Sequence, residues 1–216
     1  MGRTDTSMTP HLETISTEQR RAMAQLGPYI ERRGMYLAGG TAVALQLGHR
    51  RSVDLDWFSP EPIDDPMQLA NEIKEMGPFE TDSVDRGTLH GRIFGVRVSF
   101  LAYRYSLLQT NTKWPQLKCP LASIRDLAAM KLVAVVQRGS RKDFVDVHSM
   151  GLEHLSLDEM LQAYCQKYSL QDVSRILYSL TYFDDADLEP MPSMLWDTTW
   201  DTMKDDLRKW VKRLAT

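Results

Sequence analysis

Cysteine is almost missing from this 216-residue chain, which holds only Cys119 and Cys165. Two isolated thiols exclude a disulfide framework and fit a reduced, cytoplasmic protein. Long apolar runs are missing as well. No window approaches the ~18 continuous apolar residues of a membrane span, so no membrane partner is expected. The opening residues Met1-Gly-Arg-Thr-Asp-Thr-Ser7 lack the apolar stretch of a secretion signal. A strong charge of one sign is also absent. The formal net charge of -3 argues against a whole-surface grip on nucleic acid but leaves room for a local basic groove. The five histidines are scattered with no zinc-like spacing. No activating partner stands near either cysteine, so neither a Ser-His-Asp nor a Cys-His arrangement is expected. What remains, 43% hydrophobic and 25% charged residues, is the ordinary make-up of a folded protein with room for one compact unit or two small subdomains.

Punctuation along the chain divides it in two. Thr17–Arg33 carries Met23, Leu26 and Ile30 at helical spacing, with Gly27-Pro28 predicting a break and Gly34 an end. Met35–Ala38 reads as a short strand. Asp65-Pro66 is a capped helix start, and that helix runs to Met76 before Gly77-Pro78. Phe79–Asp85, Thr88–Phe94 and Val96–Tyr103 read as a strand meander punctuated by Gly87 and Gly95. Beyond Leu121 the pattern is nearly all helix, at about 124–138, 142–150, 157–168, 172–182 and 194–214. Ser123-x-x-Asp126 and Ser156-x-x-Glu159 read as capping boxes, and Asp184-Asp185-Ala186-Asp187 followed by Pro190 and Pro192 as a linker. The stripe Trp196, Trp200, Met203, Leu207, Trp210, Leu214 reads as core or docking face. The expected fold class is α+β: a lobe over 1–118 with a small mixed sheet, then a helical lobe over 119–216.

The chemistry concentrates between Leu37 and Ser59. Gly39 and Gly40 let the backbone turn sharply and approach a ligand, and Thr41 is placed to cap a helix Ala42–Leu47 that Gly48 stops. The start of such a helix favours phosphate, although an ordinary tight turn has the same signature. Val53–Phe58 reads as a strand in which Asp54 and Asp56 share one face, about 6.5 Å apart, while Val53, Leu55 and Trp57 face the core. Two neighbouring carboxylates repel each other unless a cation lies between them, and hard oxygens suit Mg²⁺ or Mn²⁺. The bland alternative is a solvated strand face.

Gly39-Gly40-Thr41, then Leu47-Gly48-His49-Arg50 and Ser52-x-Asp54-Leu55-Asp56, resembles the opening motif of the AbiEii/AbiGii nucleotidyltransferase toxins, within the DNA polymerase β-like nucleotidyltransferase superfamily. Ser123-Ile-Arg-Asp-Leu-Ala-Ala-Met-Lys131 and Arg138-Gly-Ser-Arg-Lys-Asp-Phe-Val-Asp146 continue the likeness, which spans roughly Leu37–Gly151. The resemblance implies a metal-dependent enzyme moving a nucleotidyl group from a nucleoside triphosphate to a tRNA-like or protein acceptor. It also implies the toxin of a bacterial toxin–antitoxin or phage-defence system with a cognate antitoxin. Alternatives on the same site are kinase-like phosphotransfer and a degenerate nucleotide-binding module. Many relatives place a third acid on a later strand. Here that position falls at Ser99, so the second metal site lacks its usual acid, with Asp143 or Asp146 as substitutes.

Lys131 lies on an apolar helix between Leu127 and Val135, where a lysine either snorkels or aims its ammonium at triphosphate oxygens. Arg138 follows two turns on. Asp143 and Asp146 share a helical face, and Asp143 either sits favourably near a helix start or completes the site by orienting Lys131. The expected site is therefore Asp54, Asp56, Lys131 and Asp143 for catalysis, with Asp54 and Asp56 holding Mg²⁺ or Mn²⁺. Gly39, Gly40, Thr41, Lys131 and Arg138 are expected to hold the nucleotide. His49, Arg50 and Arg51 read as loop cations near phosphate or RNA. Arg97, Arg104 and Lys113 read as an RNA track.

Overall fold

A capping box opens the first long helix. The Ser16 side chain accepts from the Gln19 amide, and the Gln19 side chain accepts from the Ser16 amide. The computed structural model describes residues 9–214. This helix, α1 (Thr17–Arg32), runs unbroken through Pro28, against the expected break at Gly27-Pro28. Leu26 and Ile30, on either side of the proline, are both fully buried, and Gly27 is there for contact: a Cβ would sit 2.1 Å from the Lys118 carbonyl oxygen. The helix ends before Gly34, whose φ is +67.

The sheet follows. Strand β1 (Tyr36–Ala38) leads directly into helix α2 (Gly39–Leu47), stopped by left-handed Gly48, and strand β2 (Leu55–Ser59) returns beside β1. Helix α3 (Pro66–Met76) starts on the Asp65 cap, whose side chain accepts from the Gln68 amide at 2.9 Å. Strands β3 (Phe79–Asp85), β4 (Thr88–Ile93) and β5 (Val96–Ala102) form the expected antiparallel meander. The five strands lie in the order β1-β2-β5-β4-β3, with β2 and β5 parallel, so the sheet is mixed. Strand β2 starts two residues later than expected. Leu55 and Trp57 are fully buried, but Val53 is 66% exposed and lies outside the core. The chain is still in the loop at Val53, so strand alternation does not govern it.

The remainder is helical: α4 (Ile124–Gln137), α5 (Arg141–Glu153), α6 (Leu157–Tyr168), α7 (Ser174–Ser179), α8 (Asp184–Asp187) and α9 (Trp200–Leu214). The acidic stretch 184–187 is thus a short helix rather than a linker; Asp187 and Leu188 amides close its turn on Phe183 and Asp185. The last helix begins at Trp200, six residues later than expected, and Trp196 packs from the preceding loop onto His49, ring centroids 5.8 Å apart. Ser156 makes a full capping box with Glu159. Ser123 makes half of one, because the Asp126 carboxylate turns instead to the Ser123 hydroxyl, the Leu108 and Gln109 amides and Lys167.

Sheet and helices share one apolar core. Trp57 stacks on Phe100 at 5.2 Å, and Leu127, Leu132, Phe144 and Val147 join the same cluster from α4 and α5. Pro120–Ala122 brings the chain back beside β1. The Leu37 amide donates to the Pro120 carbonyl at 2.8 Å, and the Ala122 amide donates to the Leu37 carbonyl at 2.9 Å. No described helix is long and apolar enough to cross a membrane.

Candidate active site

At the start of α2, Gly39 has φ +67, and a Cβ there would lie 2.7 Å from Asp56 Oδ2. A Cβ on Gly40 would lie 2.4 Å from the Arg50 guanidinium. Only glycine lets the helix start come this close to the acid and the arginine. The helix begins earlier than expected: Ala38 is its N-cap and offers no side-chain bond, so Thr41 sits in the first turn rather than at the cap. Its buried hydroxyl donates to the Asp54 carbonyl and meets Ser52 Oγ at 2.8 Å, tying the loop before β2 to the helix. The first amides of α2 therefore have no side-chain cap, a state that suits an anion.

Asp54 and Asp56 lie at the start of β2, beside that turn. Asp54 accepts from exposed Arg97 Nε at 2.9 Å. Burial, reinforced by repulsion from Asp54, raises the Asp56 carboxyl above its usual range, with Ser99 pulling it partly back. The registers put Asp56 opposite Ser99 on β5, and Ser99 opposite His90 on β4. The position at which the resemblance leads one to expect an acid is thus a hydroxyl beside Asp56 on the neighbouring strand, with His90 Nδ1 3.0 Å from Ser99 Oγ.

A second charged cluster backs the first. Lys131, on the buried face of α4, is 2.8 Å from Asp143 and 2.6 Å from Asp146. Asp143 also accepts from Arg138 Nε at 2.7 Å, Arg138 Nη2 at 2.9 Å and Ser140 Oγ at 2.9 Å. Asp146 accepts from His49 Nε2 at 2.8 Å and from Arg50 at 2.7 and 2.9 Å. Burial alone would raise Asp143, but Arg138 and Lys131 hold it down to about 2. Asp146 is likewise held well below the usual range against its burial, by Arg50, Lys131 and His49. Burial lowers His49, so it stays neutral and gives its Nε2 proton to Asp146.

These partners correct two expectations. Every oxygen of Asp143 and Asp146 already accepts two donors, so neither is free to replace the acid missing at Ser99. His49 and Arg50 are not loop cations in water: both are buried, and only Arg51 of that trio is exposed. Arg104 is exposed and meets Tyr105, while Lys113 is paired with Glu31 at 2.6 Å on α1.

Two cavities of about 380 Å³ each meet at Gly39, Asp56, Lys131 and Arg138. One is lined by Gly40, Thr41, Arg50, Arg51, Asp54 and Lys142. The other is more aromatic and apolar, with Phe58, Leu101, Tyr103, Met130 and Tyr168. Asp54 and Asp56 fit a divalent cation by donor type and by the burial and the Asp54 repulsion that raise Asp56; water or substrate oxygens would complete its shell. Among the described residues no group of three or more His, Cys, Asp or Glu gathers for a metal.

The family model for the nucleotidyl transferase AbiEii toxin of type IV toxin–antitoxin systems matches residues 93–213, more than half of the chain. The chain belongs to the AbiEii nucleotidyltransferase toxin family. An uncharacterized protein of Aquifex aeolicus (strain VF5) is 33% identical over 209 residues, covering 93% of this chain and 98% of that one. Among solved structures, JHP933 from Helicobacter pylori is similar with a TM-score of 0.58 at 15% identity, covering 93% of each chain. MenT4, a nucleotidyltransferase toxin from Mycobacterium tuberculosis H37Rv, gives 0.58 at 15% identity, covering 91% of this chain and 82% of that one. The antibiotic-resistance factor ANT(2'')-Ia gives 0.53 at 12% identity, covering 71% of this chain and 92% of that one. The fold is the polymerase β-like nucleotidyltransferase fold, and this AbiEii-family protein is a nucleotidyltransferase. The family match contains Ser99, Lys131, Arg138, Asp143 and Asp146, while the Gly-Gly-Thr turn and Asp54 and Asp56 precede it.

Sequence reasoning missed four features of this AbiEii-family site: His90 behind Ser99, Arg97 on Asp54, Arg50 clamped to Asp146, and Lys142 at the cation-lined cavity. The alternation of β4 and β5 would have placed His90 and Arg97 on the Asp56 face had the strand order been known. The Arg50 pairing joins residues 96 apart in sequence and left no local signal.

Proposed function

We propose that this protein moves a nucleoside monophosphate from a nucleoside triphosphate to a hydroxyl of a tRNA-like RNA or a protein. The observation that carries the reading is the position of Asp56 at the junction of a cation-lined and an aromatic cavity. The triphosphate takes the cation-lined side, held by the Gly39, Gly40 and Thr41 amides with Lys131 and Arg138. The nucleoside takes the aromatic side, between β5 and α4, and the α-phosphorus then lies beside Asp56. Asp54 and Asp56 hold Mg²⁺ or Mn²⁺, which when bound neutralises phosphate charge and activates the attacking oxygen. Asp143 is a positioning residue: it fixes Lys131 and Arg138 at the junction of the two cavities. The portions 1–118 and 119–216 act as two lobes around the nucleotide.

In the cell the protein works as a cytoplasmic toxin, in phage defence or another toxin–antitoxin setting, restrained by a cognate antitoxin. Membership of the type IV toxin–antitoxin family supports this part of the reading. The test is incubation with each of the four nucleoside triphosphates, α-labelled and γ-labelled in parallel, offering total RNA and lysate protein. Transfer of α-label that disappears in Asp56→Ala is expected. Transfer of γ-label alone would replace the reading with phosphotransfer. Absence of both label transfer and Mg²⁺–nucleotide binding would leave a degenerate module.

A further inference from the structure

The aromatic cavity runs along the sheet away from Asp56. Ser99, Leu101 and Tyr103 line it at two-residue spacing, and Ser99 stands opposite Asp56 in the register of β2 and β5. Four residues of extended chain put the Tyr103 backbone about 13 Å beyond that of Ser99, room for a nucleoside laid between them. Tyr168 reaches the same cavity from α6. One end is thus charged, with Asp56, Lys131 and Arg138, and the other carries two phenols.

The two phenol oxygens meet at 2.5 Å. Their rings are held in place. Tyr105 packs edge-on against both, with centroids 5.3 Å from Tyr103 and 4.7 Å from Tyr168, and Phe58 meets Tyr103 at 5.2 Å. Lys167, next to Tyr168, donates to the Ser106 carbonyl at 2.9 Å and to Asp126 at 2.7 Å, which pins α6 to the chain leaving β5. Tyr103 also lines a separate hollow of about 780 Å³. Its ring is therefore a partition, and its position sets the depth of the nucleoside cavity.

Two phenols carry two protons. Their mutual bond uses one, which leaves one O–H to donate and lone pairs beside it to accept. Either hydroxyl can be the donor, so the order of donor and acceptor along the pair can reverse. The amino edges of cytosine and adenine and the keto edges of uracil and guanine need opposite orders, and a reversible pair meets both. Depth does not adjust in the same way. A purine carries that edge farther from the ribose than a pyrimidine does.

We infer, on the nucleotidyl-transfer reading above, that the Tyr103–Tyr168 pair reads the base of the incoming nucleoside triphosphate by the size of its ring system and not by its amino or keto groups. The pair acts on specificity and leaves the reacting phosphorus to the charged end of the cavity.

The test is calorimetric binding of the four nucleoside triphosphates, as non-hydrolysable α,β-methylene analogues in Mg²⁺ buffer, to the full chain. Within one ring class the two analogues are expected to bind within about three-fold of each other, and the two classes to differ by about ten-fold or more. Tyr103→Phe and Tyr168→Phe keep the rings and the partition but lose a hydroxyl. Each is expected to weaken the favoured class about ten-fold while the other class, and inorganic tripolyphosphate, change less than about two-fold. A merely structural role for the pair would move all of these ligands together. Wild-type protein that separates cytidine from uridine or adenosine from guanosine by more than about ten-fold, or a class preference unchanged in both Phe variants, overturns the proposal. If wild-type protein binds tripolyphosphate and all four analogues equally, the base is not read here, although the nucleotidyl-transfer reading stands. If it binds none of the analogues and transfers no α-label, that reading fails and takes the proposal with it.

Discussion

Arg50 and Asp146 meet through two parallel hydrogen bonds, 2.7 Å from Nε and 2.9 Å from Nη2, with both side chains at most 5% exposed. This fork joins the loop after α2 to the centre of α5, and Lys131 and His49 close around the same carboxylate. The arrangement makes Asp146 a support for the site rather than a ligand in it.

Removing that charge leaves buried Arg50 without its carboxylate and Lys131 with Asp143 alone. Asp146→Asn is expected to cost roughly 3–5 kcal/mol of folding stability, the usual penalty for breaking a buried pair. Urea unfolding followed by circular dichroism measures it. A midpoint equal to wild type would show that the fork contributes nothing.

Asp56 behaves in the opposite way. Its carboxyl is raised by burial and by Asp54, so ionisation at neutral pH costs stability. Asp56→Asn is therefore expected to melt at or above the wild-type temperature at pH 7, while losing transfer by more than about 1,000-fold. A clear drop in melting temperature would mean that the carboxylate serves the fold after all.

Acid should destabilise the protein in two stages. His49 is lowered by burial, so its stabilising neutrality is present above the unfolded value, about 6.5, and is lost as pH falls below it. Asp143 is lowered to about 2, so its contribution is complete above the unfolded carboxylate value, about 4, and disappears as pH falls toward about 2. Denaturant midpoints measured from pH 8 to pH 2.5 should decline first near 6.5 and again below 4. A flat profile between 8 and 5 would contradict the His49 assignment.

Lys142 lines the cation-lined cavity without an ion partner among the described residues, unlike Lys131. Lys142→Ala is expected to raise the nucleotide KM about five- to ten-fold with little change in turnover, and to weaken its dependence on salt. An unchanged KM would place the triphosphate elsewhere.

The chain announced most of its elements through local chemistry. Ser16, Asp65 and Ser156 cap where such residues should, and Gly48 stops α2. Asp54 and Asp56 were legible because a two-residue spacing on a strand needs no knowledge of the rest of the fold. What stayed hidden depends on pieces far apart in sequence. Pro28 reads as a breaker until the burial of Leu26 and Ile30 is known. His49 and Arg50 read as solvated until Asp146 arrives from α5. His90 carries no signal until β4 is laid against β5.

The lacing of Leu37 to Pro120 and Ala122 has a mechanical consequence. The strand that delivers the paired glycines is stitched to the residues just ahead of the helix bearing Lys131. No hinge separates the two walls of the cleft at this seam. The glycine turn and the start of the Lys131 helix are thereby held in one fixed register at this seam.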